Sequence, residues 1–311
     1  MQKIIDTHCH YNLEPLVLDV AKHWQDSLSD AVVGAVCVGT NLETSTKALN
    51  LAQSYDALFA TIGIHPGEYT EKIKSLLHGD QYSQSKLDET ITQDIQELSA
   101  LLTYNLDPTK KLIAIGEIGL DYFKLRSKGL KRELVLSLQK QAFKKQLELA
   151  FEHELPVILH VRDQAQRYEL SQQNTSNAYF EVYEIVSNLV SKYTKNEKKV
   201  PVLILHCASG PKEYIQNFLD LGAYIGVAGN ATYANATEIG EIISMTPPQK
   251  ILLETDAPYL APLQHKGQTC EPRFIKMTAT FLEQSFGINL DIIINNTLKV
   301  FPQFSAVIQE K

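Results

Sequence analysis

The sequence predicts an α/β fold, a (β/α)8 barrel of the TIM type, and three observations lead there. Short apolar runs rich in β-branched residues recur between longer helical patterns. Those runs are near-continuous rather than alternating, as expected of parallel strands covered on both faces. No Gly-x-Gly-x-x-Gly follows the first run, which counts against an open doubly wound sheet. The chain of 311 residues also fits one barrel, a fold that commonly reaches this length. No internal repeat, low-complexity tract or linker divides residues 1–311, so a single domain is expected.

The strands are expected at Lys3–Thr7, Gly34–Val38, Leu58–Ile62, Leu112–Ile115, Pro156–Leu159, Val202–Leu205, Ala223–Gly226 and Ile251–Leu253. Helical patterns lie between them. The clearest is Glu133–Glu154, where Leu134, Leu138, Phe143, Leu147 and Phe151 recur at helical spacing. Two polar stretches, Ser75–Lys110 and Gln164–Lys199, read as insertions running over the surface.

Composition narrows the function classes. Hydrophobic residues make up 44% and charged residues 21%, ordinary values for a globular protein. Cys9, Cys37, Cys207 and Cys270 are far apart and form no CxxC, which fits a reducing compartment rather than a disulfide framework. No apolar run has the length of a membrane span, and no secretory signal opens the chain. A cytoplasmic protein starting near Met1 is expected, with the nucleus as the other option. The formal charge is −7, whereas long nucleic-acid footprints usually come with a basic surface. A polyphosphate substrate would therefore need bound metal for positive charge, or a short footprint.

The polar residues fall at one topological level. His8 and His10 close the first strand, where alternate residues share a face. The third strand ends in Gly63-Ile-His-Pro66 and the fourth in Gly116-Glu-Ile-Gly-Leu-Asp-Tyr122. The fifth ends in His160-Val-Arg-Asp163, the sixth in His206-Cys-Ala-Ser-Gly210 and the eighth in Glu254-Thr-Asp-Ala-Pro258. Barrel enzymes place their chemistry at the C-terminal ends of the strands. Four histidines and two carboxylates can hold two divalent cations at that face, Mg2+ or Zn2+, with Mn2+, Ni2+ and Co2+ also fitting the donors. Such a pair activates water and stabilises the oxygens of a phosphoryl transfer.

These motifs resemble those of TatD-type metal-dependent deoxyribonucleases, in the amidohydrolase-like barrel superfamily. The resemblance runs in order from the first strand to the eighth. Ile115-Gly-Glu-Ile-Gly-Leu-Asp121 with Glu254-Thr-Asp-Ala-Pro258 is its most specific part. It implies that His8 and His10 bind a first metal, that Glu117 bridges both metals, and that His160 and His206 bind the second. It implies that Asp256 binds the first metal and accepts a proton from the attacking water. His65 matches a histidine of the site that contacts substrate phosphate. Related phosphotriesterase-like barrels carry a carboxylated lysine where Glu117 stands. The implied activity is 3′→5′ exonuclease hydrolysis of DNA, at ends or on single strands, with RNA as a second substrate. The competing reading is an esterase or amidohydrolase of the same superfamily, such as a D-aminoacyl-tRNA deacylase or lactonase. No membrane and no obligate protein partner is indicated.

Arg162, Ser209 and Tyr122 are the further substrate-binding candidates. Arg162 can fork onto phosphate oxygens or pair with an acid. Ser209 and Gly210 can offer backbone N–H groups or make a turn. Tyr122 can stack on a base or pack on the barrel rim. Asp163 can cap a helix. Cys9 and Cys207 are expected to face away from the site, and Trp24 to lie in the core. One segment departs from the family pattern: His265-Lys-Gly-Gln-Thr-Cys-Glu-Pro272 keeps Glu271-Pro272 but has Cys270 in place of an Asn, with Lys266 as a substitute basic residue. Ala208 stands where the family commonly has Phe.

Overall fold

The computed structural model describes residues 2–76, 84–123, 125, 130–163 and 177–309. Among them lie eight parallel strands: β1 (Ile4–Cys9), β2 (Val32–Cys37), β3 (Leu58–Ile62), β4 (Leu112–Asp121), β5 (Val157–Arg162), β6 (Leu203–Leu205), β7 (Tyr224–Val227) and β8 (Ile251–Leu253). Their order in the sheet is their order in the chain. The sheet curls into a nearly closed barrel. Its seam is held where the Asp256 N–H donates to the His8 carbonyl at 2.9 Å and the His10 N–H to that of Ala257 at 2.7 Å. The Thr7 hydroxyl adds a bond to the Leu253 carbonyl at 3.0 Å.

Helices follow the strands on the outside: α1 (Val20–Ser29), α2 (Leu42–Ser54), α3 (Pro66–Leu76), α4 (Gln84–Asn105), α5 (Leu130–Glu152), α6 (Ala178–Lys195), α7 (Lys212–Asp220), α8 (Thr237–Met245), α9 (Ile275–Phe286), α10 (Leu290–Val300) and α11 (Phe304–Gln309). Asn41 caps α2 in a reciprocal capping box with Thr44. Most apolar strand residues are buried, and one cluster of Val36, Ile113, Ile158, Ile204 and Leu252 is closed off by Phe301 and Phe304. A Cβ on Gly34 would fall 2.7 Å from the Phe304 ring, so only glycine lets the last helix seat there.

Two expectations are corrected. β4 does not stop at Ile115 but continues to Asp121, buried throughout. The polar stretches are not bare surface. α4 buries Leu87, Ile91, Leu98 and Leu102, and α6 buries Tyr179, Val182 and Val186. Residues 77–83 and 164–176 of those stretches lie outside the described residues. Among the described residues, no helix is long and apolar enough to cross a membrane. All four cysteines are free thiols.

Candidate metal centre

Six strand ends deliver their polar side chains to one point, and Glu117 is its centre. Glu117 Oε1 lies 2.5 Å from His160 Nδ1 and 3.8 Å from both His65 Nε2 and His206 Nε2. Its Oε2 lies 3.7 Å from His8 Nε2 and 4.0 Å from His10 Nε2. Asp256 Oδ1 faces the other side of the histidine pair, 3.2 Å from His10 Nε2 and 3.7 Å from both His8 and His206 Nε2. His8 and His10 bring their Nε2 atoms within 3.3 Å of each other. The structure therefore brings together all seven residues expected there as ligands or catalysts.

Four of the imidazoles have a partner on the second ring nitrogen, whereas His8 Nδ1 is buried without a hydrogen-bond partner among the described residues. His10 Nδ1 lies 2.9 Å from the Val38 carbonyl, which takes its proton and leaves the Nε2 lone pair facing inward. Asn12 donates to that same carbonyl and to that of Thr44. His206 Nδ1 lies 2.9 Å from Glu254 Oε1, so its Nε2 also faces inward. A Cβ on Gly226 would overlap the Glu254 carboxylate, so this approach needs glycine. His160 is held between Glu117 and Asp121, whose Oδ2 is 3.3 Å from Nε2. His65 differs. The Gly67 N–H donates to its Nδ1 at 2.9 Å, so the neutral ring carries its proton on Nε2, pointing at Glu117.

Two glutamines on α5 brace the surrounding backbone. Gln139 accepts from the Asp121 N–H at 3.0 Å and donates to the Asp121 carbonyl at 3.1 Å. Gln146, two helical turns on, does the same for Ile64 at 2.7 and 3.1 Å. At the seam, the Asp6 carboxylate accepts from the N–H groups of His8 and Thr255 and from the Thr255 hydroxyl.

Electrostatics follow from the crowding. Burial alone would raise the Glu117 carboxyl, but His160 and His65 hold it well below the usual range. Burial acts on Asp256 likewise, and His206, His10 and His8 hold it low. Burial opposes a charge on His206 and His160, yet Glu254 and Asp256 push the first up to about 10, and Glu117 with Asp121 push the second up to about 9. Burial and neighbouring His160 lower His65 to about 4, so it is neutral at pH 7. Burial pushes the Asp6 carboxyl up to about 8.

The donor set fits divalent cations. Ligands at about 2.1 Å around one ion stand roughly 3.0–3.4 Å apart in octahedral or tetrahedral geometry. The His8–His10 and His10–Asp256 separations, 3.3 and 3.2 Å, fall in that range. The donor atoms of His8, His10 and Asp256 are close enough to share an ion, as are those of His65, Glu117 and His160, although His65 with its proton on Nε2 offers that ion no lone pair. Two further groups are His8, His206 and Glu254, and His206, Cys207 and Asp256.

Several expectations change. Tyr122 is fully buried and its hydroxyl donates to Glu181 Oε2 at 2.6 Å, so it does not meet a base. The Ser209 N–H donates to the Tyr179 hydroxyl at 3.3 Å, and the Ser209 carbonyl accepts from that hydroxyl, so this backbone is committed to α6. Arg162 lies exposed at the rim with its guanidinium 3.8 Å from the Phe123 ring centroid, stacked on an aromatic rather than bound to an acid. Asp163 accepts from the Ala178 N–H at the start of α6, but the N-cap of that helix is Asn177, whose side chain accepts from the Phe180 N–H. Cys207 is not core. β6 ends at Leu205, Cys207 turns with φ 43°, and its thiol joins the His206–Asp256 group. Cys9 and Trp24 are buried as expected. Lys266 lies over the Tyr233 ring at 4.3 Å and Glu271 pairs with Arg273 at 2.9 Å, while the Cys270 N–H donates to the Pro258 carbonyl at 3.0 Å, so the departing segment braces the turn that carries Asp256. Asp6, Asp121, Glu254, Gln139 and Gln146 carry roles in the site that motif reading left unassigned.

Comparison with known proteins agrees. A family model described as TatD-related DNase matches residues 5–304. The chain belongs to this family. It is 26% identical over 302 residues to an uncharacterized metal-dependent hydrolase, YabD, from Bacillus subtilis, covering 96% of this chain and 98% of that protein. It is 30% identical over 237 residues to the 3′-5′ ssDNA/RNA exonuclease TatD of Citrobacter koseri, covering 76% of this chain and 72% of that one. The solved structure of YjjV, a TatD homologue from Escherichia coli, superposes with a TM-score of 0.72 at 24% identity, covering 96% of this chain and 98% of that one.

Proposed function

We propose that this TatD-family chain is a two-metal phosphodiesterase, a 3′→5′ exonuclease acting on DNA ends or single strands, with RNA as a second substrate. The single observation behind this reading is Glu117, one buried carboxylate with Oε2 3.7 Å from His8 Nε2 and Oε1 2.5 Å from His160 Nδ1. When bound, two divalent cations would supply the Lewis acidity that activates water and neutralises charge on the phosphoryl group.

The residues have separable duties. His8, His10 and Asp256 would hold the first ion, His160 and His206 the second, with Glu117 between them. Asp256, kept ionised by its three histidines, accepts the proton of the attacking water at a carboxylate oxygen. His65, neutral with its proton on Nε2, donates to a phosphoryl oxygen. Arg162 stands at the rim, where its remaining N–H donors can meet the backbone phosphate. The net charge of −7 suits a short footprint at a chain end. The name carried by the Citrobacter relative supports the exonuclease polarity. A single barrel over residues 1–311, in the cytoplasm, completes the reading.

The deciding experiment is product analysis on 3′- and 5′-labelled oligonucleotides across Mg2+, Mn2+, Zn2+, Ni2+ and Co2+. Stepwise shortening from the 3′ end is expected. Intact oligonucleotides beside rapid hydrolysis of an aminoacyl ester or lactone would replace this reading with the esterase one.

A further inference from the structure

Two exposed aromatic residues follow the strand ends that carry Asp256 and Asp121, and none of the chemistry above uses their rings. Tyr259 follows the Asp256-Ala-Pro258 segment after β8 and is 54% exposed. Its ring lies edge-on to His10 with centroids 6.2 Å apart. Its N–H donates to the Asp256 carbonyl at 2.8 Å, so one turn positions both the ligand and the ring. Phe123 follows β4 and is 40% exposed. Its N–H donates to Asp121 Oδ1 at 2.8 Å, and the other oxygen of Asp121 faces His160. Arg162 lies against its ring.

β4 and β8 are half a turn apart in an eight-stranded barrel, so Phe123 and Tyr259 follow strands on opposite sides of the same barrel mouth. Each is anchored to a residue that touches the ligand set. A large exposed aromatic is a stacking surface that any base can use. A protein with a formal charge of −7 gains from such a sequence-independent grip. One aromatic on each side of the mouth offers a surface for a base on each side of a single bond in a strand.

We propose that Tyr259 and Phe123 are the stacking platforms for the two nucleobases flanking the scissile phosphate of a single-stranded end. This rests on the nuclease reading above. Duplex ends must unstack to use both rings, so single strands are the preferred substrate.

The test uses the metal-loaded full chain. Tyr259→Ala and Phe123→Ala should each raise KM for a single-stranded oligonucleotide about tenfold or more, with a smaller change in kcat. Tyr259→Phe and Phe123→Trp, which keep a ring, should restore the wild-type KM. The wild type should also disfavour a strand with abasic residues on either side of the bond, and the double alanine variant should lose that discrimination. The proposal is overturned by an unchanged KM in both alanine variants. It is equally overturned if Tyr259→Phe is as damaging as Tyr259→Ala, which would assign the effect to the hydroxyl. Hydrolysis of bis(p-nitrophenyl) phosphate, a base-free diester, separates the two levels. If the wild type cleaves that diester and no oligonucleotide, the nuclease reading itself falls and the platforms with it.

Discussion

The floor and the rim of this site are built on different terms. On the floor, the side chains of His8, His10, Glu117 and His206 are at most 5% exposed. His10 and His206 are each pinned by a second partner, Val38 or Glu254. On the rim, Tyr259, Phe123 and Arg162 are exposed, and the two rings are fixed through their backbones. Floor contacts act in a low-dielectric setting, where a misplaced charge is costly. Rim contacts act beside water and can change without disturbing the core. On the proposed function, chemistry and substrate choice are separated by depth, and substitutions at the two levels should fail in different ways.

The largest effect is expected at the centre. Glu117→Ala or Asp256→Ala should lower diester hydrolysis by about 10³-fold or more while circular dichroism reports a cooperative, native-like melt. Full activity in a folded, metal-free Glu117→Ala protein would remove the floor from the chemistry. One step outward, Glu254→Gln keeps the shape beside His206 but weakens its orientation. Metal affinity should fall about 10–100-fold, read by competition with a chelating dye, and wild-type affinity would show that Glu254 does not tune the ligand.

Bracing should cost less. Gln139→Leu leaves the buried N–H and carbonyl of Asp121 without partners, for about 1–3 kcal/mol each. Urea denaturation measures this, and an unchanged midpoint would show that water takes over. The gentlest probe is pH on chelator-treated protein. His206, held up to about 10 in the fold, contributes stability that is complete below its ordinary 6.5 and is lost as pH rises through 10. Asp6, held up to about 8, acts in the same direction. The melting temperature should therefore fall between pH 7 and 10. Metal affinity should rise over the same interval, because ligands bind deprotonated. A flat melting profile would contradict the assigned pairs.

The floor was largely legible in the sequence because strand ends are local. His8, His10, His65, His160, His206 and Asp256 each sit where an apolar run turns polar, and β3 and β8 fall on their expected residues. The apolar run predicts β4 only as far as Ile115, because the chain turns polar in Gly116-Glu-Ile-Gly-Leu-Asp-Tyr122. In the fold the chain stays extended there, and a Cβ on Gly119 would collide with the His160 carbonyl of the neighbouring strand. Strand alternation predicts Cys207 in the core, but β6 ends at Leu205 and the alternation does not reach it. Tyr122 and the bracing glutamines were illegible for a different reason. Their partners, Glu181, Asp121 and Ile64, lie 18 to 82 residues away, and only packing brings them together.

The seam between β1 and β8 has a consequence for how the molecule is assembled. His10 and Asp256 meet across 246 residues of chain. Bringing such distant points together costs chain entropy that grows only with the logarithm of loop length, but it is incurred late, after almost everything between has been arranged. The ring cannot close on the ribosome until its eighth strand has emerged. An ion gripped by His8, His10 and Asp256 would then act as a latch on a nearly circular chain, holding first and last strands together as a cross-link would. In this protein the catalyst and the clasp would be the same object.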